Sequence, residues 1–96
     1  MKIAIAQLDQ TVGDLQGNAR RILDAGSDTR RAGAGLTVTP ELSLCGYPPE
    51  DLLLRPSFVD ACARELASLA GAVTGGVLTV GFPERVDGRC HNAVAV

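Results

Sequence analysis

The chain contains no tryptophan, a single methionine and only three aromatic residues, Tyr47, Phe58 and Phe82, among 96. Its core must therefore be aliphatic and alanine-rich, a composition suited to helices packed on a sheet. Charge of one sign is also missing: nine Lys and Arg face eleven Asp and Glu, for a net charge of −2, with no run of either sign beyond a few residues. That balance favours neither a nucleic-acid nor an anionic-membrane partner. No apolar run approaches the roughly 18 residues of a membrane helix. The apolar stretch Met1 to Leu8 is too short for a secretory leader and runs directly into Asp9. With an odd number of cysteines, Cys45, Cys62 and Cys90, the expected compartment is a reducing cytoplasm.

Ligand-binding signatures are scarce as well. The cysteines and His91 show no Cys-x-x-Cys or His-x-x-x-His spacing, so no metal site is expected. Neither G-x-x-x-x-G-K-[ST] nor G-x-G-x-x-G occurs, and Gly33-Ala34-Gly35 has no third glycine or helix start behind it. No cofactor is expected to bind within these residues.

What is present reads as one small α/β domain. Lys2 to Leu8 is apolar at nearly every position, which predicts a central strand covered on both faces. Leu15, Ala19, Ile22 and Leu23 fall on one helical face, with Asp14 as N-cap. This helix is expected to reach about Arg31, its second half frayed or kinked by Gly26, Ser27 and Asp28. Gly33-Ala34-Gly35 leads into a strand, Leu36 to Thr39. Pro56 fits the first turn of a second helix, whose face is Phe58, Cys62, Leu66, Leu69, Ala70 and Val73 and whose end is Gly75-Gly76. Val77 to Phe82 is a third strand, and Asp87-Gly88 predicts a tight hairpin that returns His91 to Val96 antiparallel to it. The order β, α, β, α, β, β implies a mixed sheet.

Chemistry is concentrated between Leu36 and Leu54. The second strand stops at Pro40 and the next residue is a carboxylate, Glu41. Ligands bind α/β sheets at the carboxyl ends of strands, so Glu41 is a candidate general base, although an acidic residue after proline also commonly opens a helix. The loop Gly46-Tyr47-Pro48-Pro49 follows at once and would form a stiff wall beside it. Glu50 and Asp51 read more simply as acidic residues at the start of a short helical turn. Cys62 lies on an apolar helix face, and Cys90 and His91 point to opposite sides of a strand. All three cysteines are expected to be structural thiols.

The stretches Thr11-Val12-Gly13-Asp14, Gly17-Asn18, Thr39-Pro40-Glu41-Leu42, Cys45-Gly46-Tyr47-Pro48-Pro49-Glu50-Asp51-Leu52-Leu53, Gly81-Phe82-Pro83-Glu84-Arg85 and Asn92-Ala93 resemble the amino-terminal glutaminase domain of the glutamine-dependent NAD+ synthetase family. That domain is a branch of the nitrilase superfamily of carbon–nitrogen hydrolases. The resemblance implies an α-β-β-α sandwich with a Glu, Lys, Cys triad, in which Glu41 is the catalytic base and Tyr47 lines the glutamine pocket. It implies ammonia transfer to a second domain that uses ATP and Mg2+ to amidate deamido-NAD+, and a homo-oligomer at full length.

The departures are informative. The only lysine, Lys2, begins the first strand, and no cysteine stands where the family places its nucleophile. Gly35 replaces a residue that is usually acidic, and His91 stands where tyrosine is common. Residues 1–96 are thus expected to form the amino-terminal part of a carbon–nitrogen hydrolase domain, truncated and inactive alone, whose partner is the missing remainder of the enzyme. The alternatives are a stand-alone amidase of the superfamily, or a non-catalytic module that pairs through an open sheet edge.

Overall fold

The computed structural model describes residues 1–96. In chain order it contains β1 (Ile3–Ile5), α1 (Leu15–Arg31), β2 (Leu36–Val38), a 3₁₀ turn at Glu50–Leu54, α2 (Pro56–Ala72), β3 (Val77–Val86) and β4 (Arg89–Ala95). The expected order β-α-β-α-β-β is the one found. One mixed sheet runs β1-β2-β3-β4, with β1, β2 and β3 parallel and β4 antiparallel to β3. Asp87 and Gly88 both take positive φ, 52° and 76°, as a two-residue turn matched to strand twist requires.

Both helices lie on one face of this sheet. Ala19 and Ile22 of α1, Cys62 and Leu69 of α2, Val80 and Phe82 of β3, and Leu42, Leu44 and Cys45 of the β2–α2 connection form the core. Pro56 opens α2 at its first turn, as expected. Asp14 caps α1, its carboxylate accepting from the Gly17 amide at 3.1 Å. No helix is long and apolar enough to cross a membrane.

Two expectations are corrected. β1 is an edge strand of three residues, with β2 its only neighbour. Its Ile3 and Ile5 are 57% and 77% exposed. They stand in rows with Leu36 and Val77, and with Val38 and Thr79, on the sheet face that no helix covers. An apolar run shows that both faces favour burial, but not that both are buried by the same 96 residues. Second, α1 is continuous through Gly26 to Arg31. A buried face at Asn18, Ala19 and Ile22 holds it, because tertiary contact outweighs a propensity cost of about 1 kcal/mol.

The connection after β2 takes the sheet position that β2 leaves vacant. The Leu44 amide donates to the Gly81 carbonyl at 3.1 Å, and Thr39 Oγ1 donates to the Thr79 carbonyl at 2.7 Å. This fit needs a glycine, since a Cβ on Gly81 would sit 2.6 Å from the Leu42 nitrogen and 2.7 Å from the Pro40 oxygen. Backbone at that distance cannot swing away as a side chain would. Gly81→Ala is therefore expected to cost about 1–3 kcal/mol in urea denaturation. Gly71→Ala, in open space at the end of α2, should be neutral or stabilising by up to about 1 kcal/mol. Equal stability of the two variants would show that the elbow does not press on Gly81.

Candidate active site

From Pro40 to Gly46 the backbone coils tightly. The Ser43 amide donates to the Pro40 carbonyl at 3.1 Å and the Gly46 amide to the Leu42 carbonyl at 2.9 Å. Leu42 holds φ at 51°, a left-handed conformation that a branched side chain adopts only when its surroundings over-determine it. Here its side chain is buried in the core. Residues Leu42 to Gly46 are all buried, whereas Glu41 is exposed. The elbow thus turns its apolar side chains inward and presents one carboxylate outward, just past the carboxyl end of β2.

Asn18 ties this elbow to α1. It is fully buried, and its side-chain amide donates to the carbonyls of Thr11 at 2.8 Å and Leu44 at 2.9 Å. Its oxygen accepts from the Thr11 amide at 2.9 Å and from Arg21 Nη2 at 2.7 Å. Gln10 adds a second tie, donating to the carbonyls of Asn18 at 3.1 Å and Ser43 at 2.8 Å and accepting from Arg21 Nε at 2.9 Å. Gly46 completes the junction at φ 84°, where a Cβ would come within 2.7 Å of the Val12 backbone. A buried polar network of this kind is rigid only when every member is paired, and no buried side-chain nitrogen or oxygen in the chain lacks a partner.

The cleft beside the elbow, about 130 Å³, is lined by Leu8, Asp9, Gln10, Pro40, Glu41, Ser43 and Tyr47. The structure thus brings together the two residues singled out from sequence, Glu41 and Tyr47. Tyr47 is 64% exposed, so its ring is not a packing residue of the loop. Glu50 and Asp51 lie outside this lining, in the first turn of the 3₁₀ segment, as the simpler reading had it. Asp9, the second acid of the cleft, follows a strand in sequence just as Glu41 does, and that position was the one available signal for it. Asn92, which reaches Glu41 from β4, had no such signal.

No cysteine stands in this cleft. Cys45 and Cys62 are fully buried, and burial pushes their thiols up to about 11 and about 12, partly offset at Cys45 by a backbone hydrogen bond and reinforced at Cys62 by the neighbouring Cys45. Cys90 is exposed on β4 opposite Arg85. Lys2 lies at the amino end of β1, its Nζ donating to the Ala32 carbonyl at 3.3 Å beside the end of α1, at the opposite end of the parallel strands from Glu41. No three His, Cys, Asp or Glu side chains converge as metal ligands. The amino end of α1 is occupied by the Asp14 carboxylate, which would repel a phosphate.

Asn18→Asp keeps the shape of the side chain but removes both donated hydrogen bonds. It is expected to cost about 2–4 kcal/mol in urea denaturation, and wild-type stability would show that the ties to Thr11 and Leu44 carry no load. The cysteines set an alkaline limit. An unfolded chain releases its thiol protons near the ordinary value of 9, while the folded chain holds them to about 11 and 12. Stability is therefore full below pH 9 and falls as pH rises toward 11 and 12. Cys62→Ala should flatten that fall, measured by melting temperature against pH.

Residues 2–96 match the carbon–nitrogen hydrolase family. A glutamine-dependent NAD(+) synthetase from Xanthomonas campestris is 41% identical over 97 residues, covering all of this chain and 18% of the relative. Among solved structures, a glutamine-dependent NAD+ synthetase from Acinetobacter baumannii superposes with a TM-score of 0.89 at 30% identity, over 97% of this chain and 18% of the other. An amidase from Nesterenkonia sp. superposes with a TM-score of 0.73 at 28% identity, over 98% and 36%. The chain thus spans under a fifth of the length of the synthetases it matches. A mixed sheet carrying helices on one face, an elbow that projects one carboxylate, and a match over nearly every residue agree: the chain belongs to the carbon–nitrogen hydrolase family.

Proposed function

We propose that residues 1–96 are the amino-terminal part of the glutaminase domain of a glutamine-dependent NAD+ synthetase, and that they supply its general base. The observation that carries this reading is the exposed Glu41 carboxylate, held out over a cleft shared with Tyr47 by an elbow whose following residues, Leu42 to Gly46, are buried. A base must be fixed to within a fraction of an ångström of the proton it takes. The close approach at Gly81 and the ties from Asn18 and Gln10 supply that rigidity.

In this reading the remainder of the enzyme brings a cysteine and a lysine to the cleft. Glu41 takes the thiol proton as the sulfur attacks the side-chain carbonyl carbon of glutamine, and the lysine stabilises the oxyanion. The proton passes to the departing nitrogen, ammonia leaves, and a thioester remains. Glu41 then takes a proton from water, whose oxygen displaces the sulfur to give glutamate, and returns that proton to the departing thiolate. Tyr47 supports the glutamine side chain from the rim. The ammonia serves an ATP-dependent domain that amidates deamido-NAD+. The bare sheet face of Ile3, Ile5, Val77 and Val94 is where the second half of the sandwich packs.

The synthetase reading is preferred to a stand-alone amidase because the superposition is closer, with TM-scores of 0.89 against 0.73. The isolated chain should not hydrolyse glutamine, since both buried thiols are protonated and the lysine is at the far end of the sheet. In the full-length enzyme, Glu41→Gln should lower glutamine-driven NAD+ formation by at least about 1,000-fold and leave synthesis from added ammonia within about twofold of wild type. Equal loss of both activities would contradict the assigned role.

A further inference from the structure

Glu41 has one hydrogen-bond partner in the chain, and it comes from a distant element. Asn92 Nδ2, on β4 and 51 residues along the chain, donates to Glu41 Oε1. A carboxylate only accepts, so the chemistry fixes which end of the Asn92 amide faces it. No group of the chain donates to Oε2 of Glu41. The two oxygens of the carboxylate are therefore inequivalent, one held and one free.

Asn92 is placed for this by the hairpin. It pairs with Pro83, two residues beyond Gly81 on β3, and Gly81 is where the elbow backbone presses on that strand. One strand thus fixes the elbow directly and, through its neighbour, reaches the side chain that the elbow presents. Both Asn92 and Glu41 are exposed, and a hydrogen bond between two solvated side chains contributes little to folding. A lysine or arginine in the same place would pair with the carboxylate charge and weaken it as a base. A neutral amide orients the group and leaves its charge in place.

We infer that Asn92 is a positioning residue for the hydrolytic reaction: by holding Oε1 of Glu41 it directs Oε2 toward the proton to be abstracted. This rests on the reading of Glu41 as general base. Asn92 acts through the Glu41 carboxylate it holds, so its effect is expected on the rate of the chemical step and not on binding of glutamine.

The test uses the full-length enzyme carrying Asn92→Asp, which is isosteric but cannot donate when ionised, Asn92→Ala, and Asn92→Gln, which keeps an amide. Glutamine-driven kcat should fall about 10-fold to 100-fold in the first two, with KM within about threefold and ammonia-driven synthesis unchanged. Asn92→Gln should recover part of the loss. Wild-type kcat in Asn92→Asp and Asn92→Ala, beside an inactive Glu41→Gln, would overturn the inference about Asn92 alone. Parallel loss of the ammonia-driven activity would also overturn it, by assigning Asn92 to folding. An active Glu41→Gln would instead overturn the reading beneath it.

Discussion

The contact on which the rest of this structure depends is the passage of the Pro40–Leu42 backbone against Gly81. A Cβ there would meet the chain at 2.6 Å and 2.7 Å, so no other residue type fits without moving backbone. Because the elbow can settle that deeply, Leu44 pairs with the Gly81 carbonyl and Leu42, Leu44 and Cys45 enter the core. Because those side chains turn inward, Glu41 between Pro40 and Leu42 turns outward. The exposure of the carboxylate is thus a consequence of core packing, and the strained φ of Leu42 is held by burial of its own side chain.

The polar junction makes the elbow's position definite from its other side. Hydrophobic contact alone tolerates small slides, because it is non-directional. Asn18 and Gln10 add fixed directions, tying α1 and the loop after β1 to the carbonyls of Ser43 and Leu44. Arg21 binds both of these side chains, which orients two amides that could otherwise turn. The price of such a network is desolvation of the Asn18 amide, and it is met because every buried side-chain polar atom is paired.

Much of this was readable along the chain, and what escaped has a common cause. Pro56 as a helix start, Asp14 as a cap and Asp87-Gly88 as a hairpin are local chemistry, and each is found where the residues placed it. Glu41 was visible because a strand ended at proline one residue earlier, whereas Tyr47 was singled out by the family resemblance of its loop. Gly81 gave no sign within its own strand, since its neighbour in space is 40 residues away in sequence. The same holds for Asn18, which reads as an ordinary polar residue of an amphipathic helix until Leu44 is placed over it. β1 shows the opposite error, a local pattern read correctly for its chemistry and wrongly for its surroundings.

The central claim is that residues 1–96 carry one preorganised wall of a glutaminase site whose other catalytic groups come from elsewhere in the enzyme. The most direct measurement grafts these residues into the Xanthomonas relative in place of the 97 they match and compares NAD+ formation from glutamine and from ammonia. The account predicts that both activities are retained and that glutamine use alone is lost when the graft carries Glu41→Gln. A graft that makes NAD+ normally from ammonia but not at all from glutamine would contradict it.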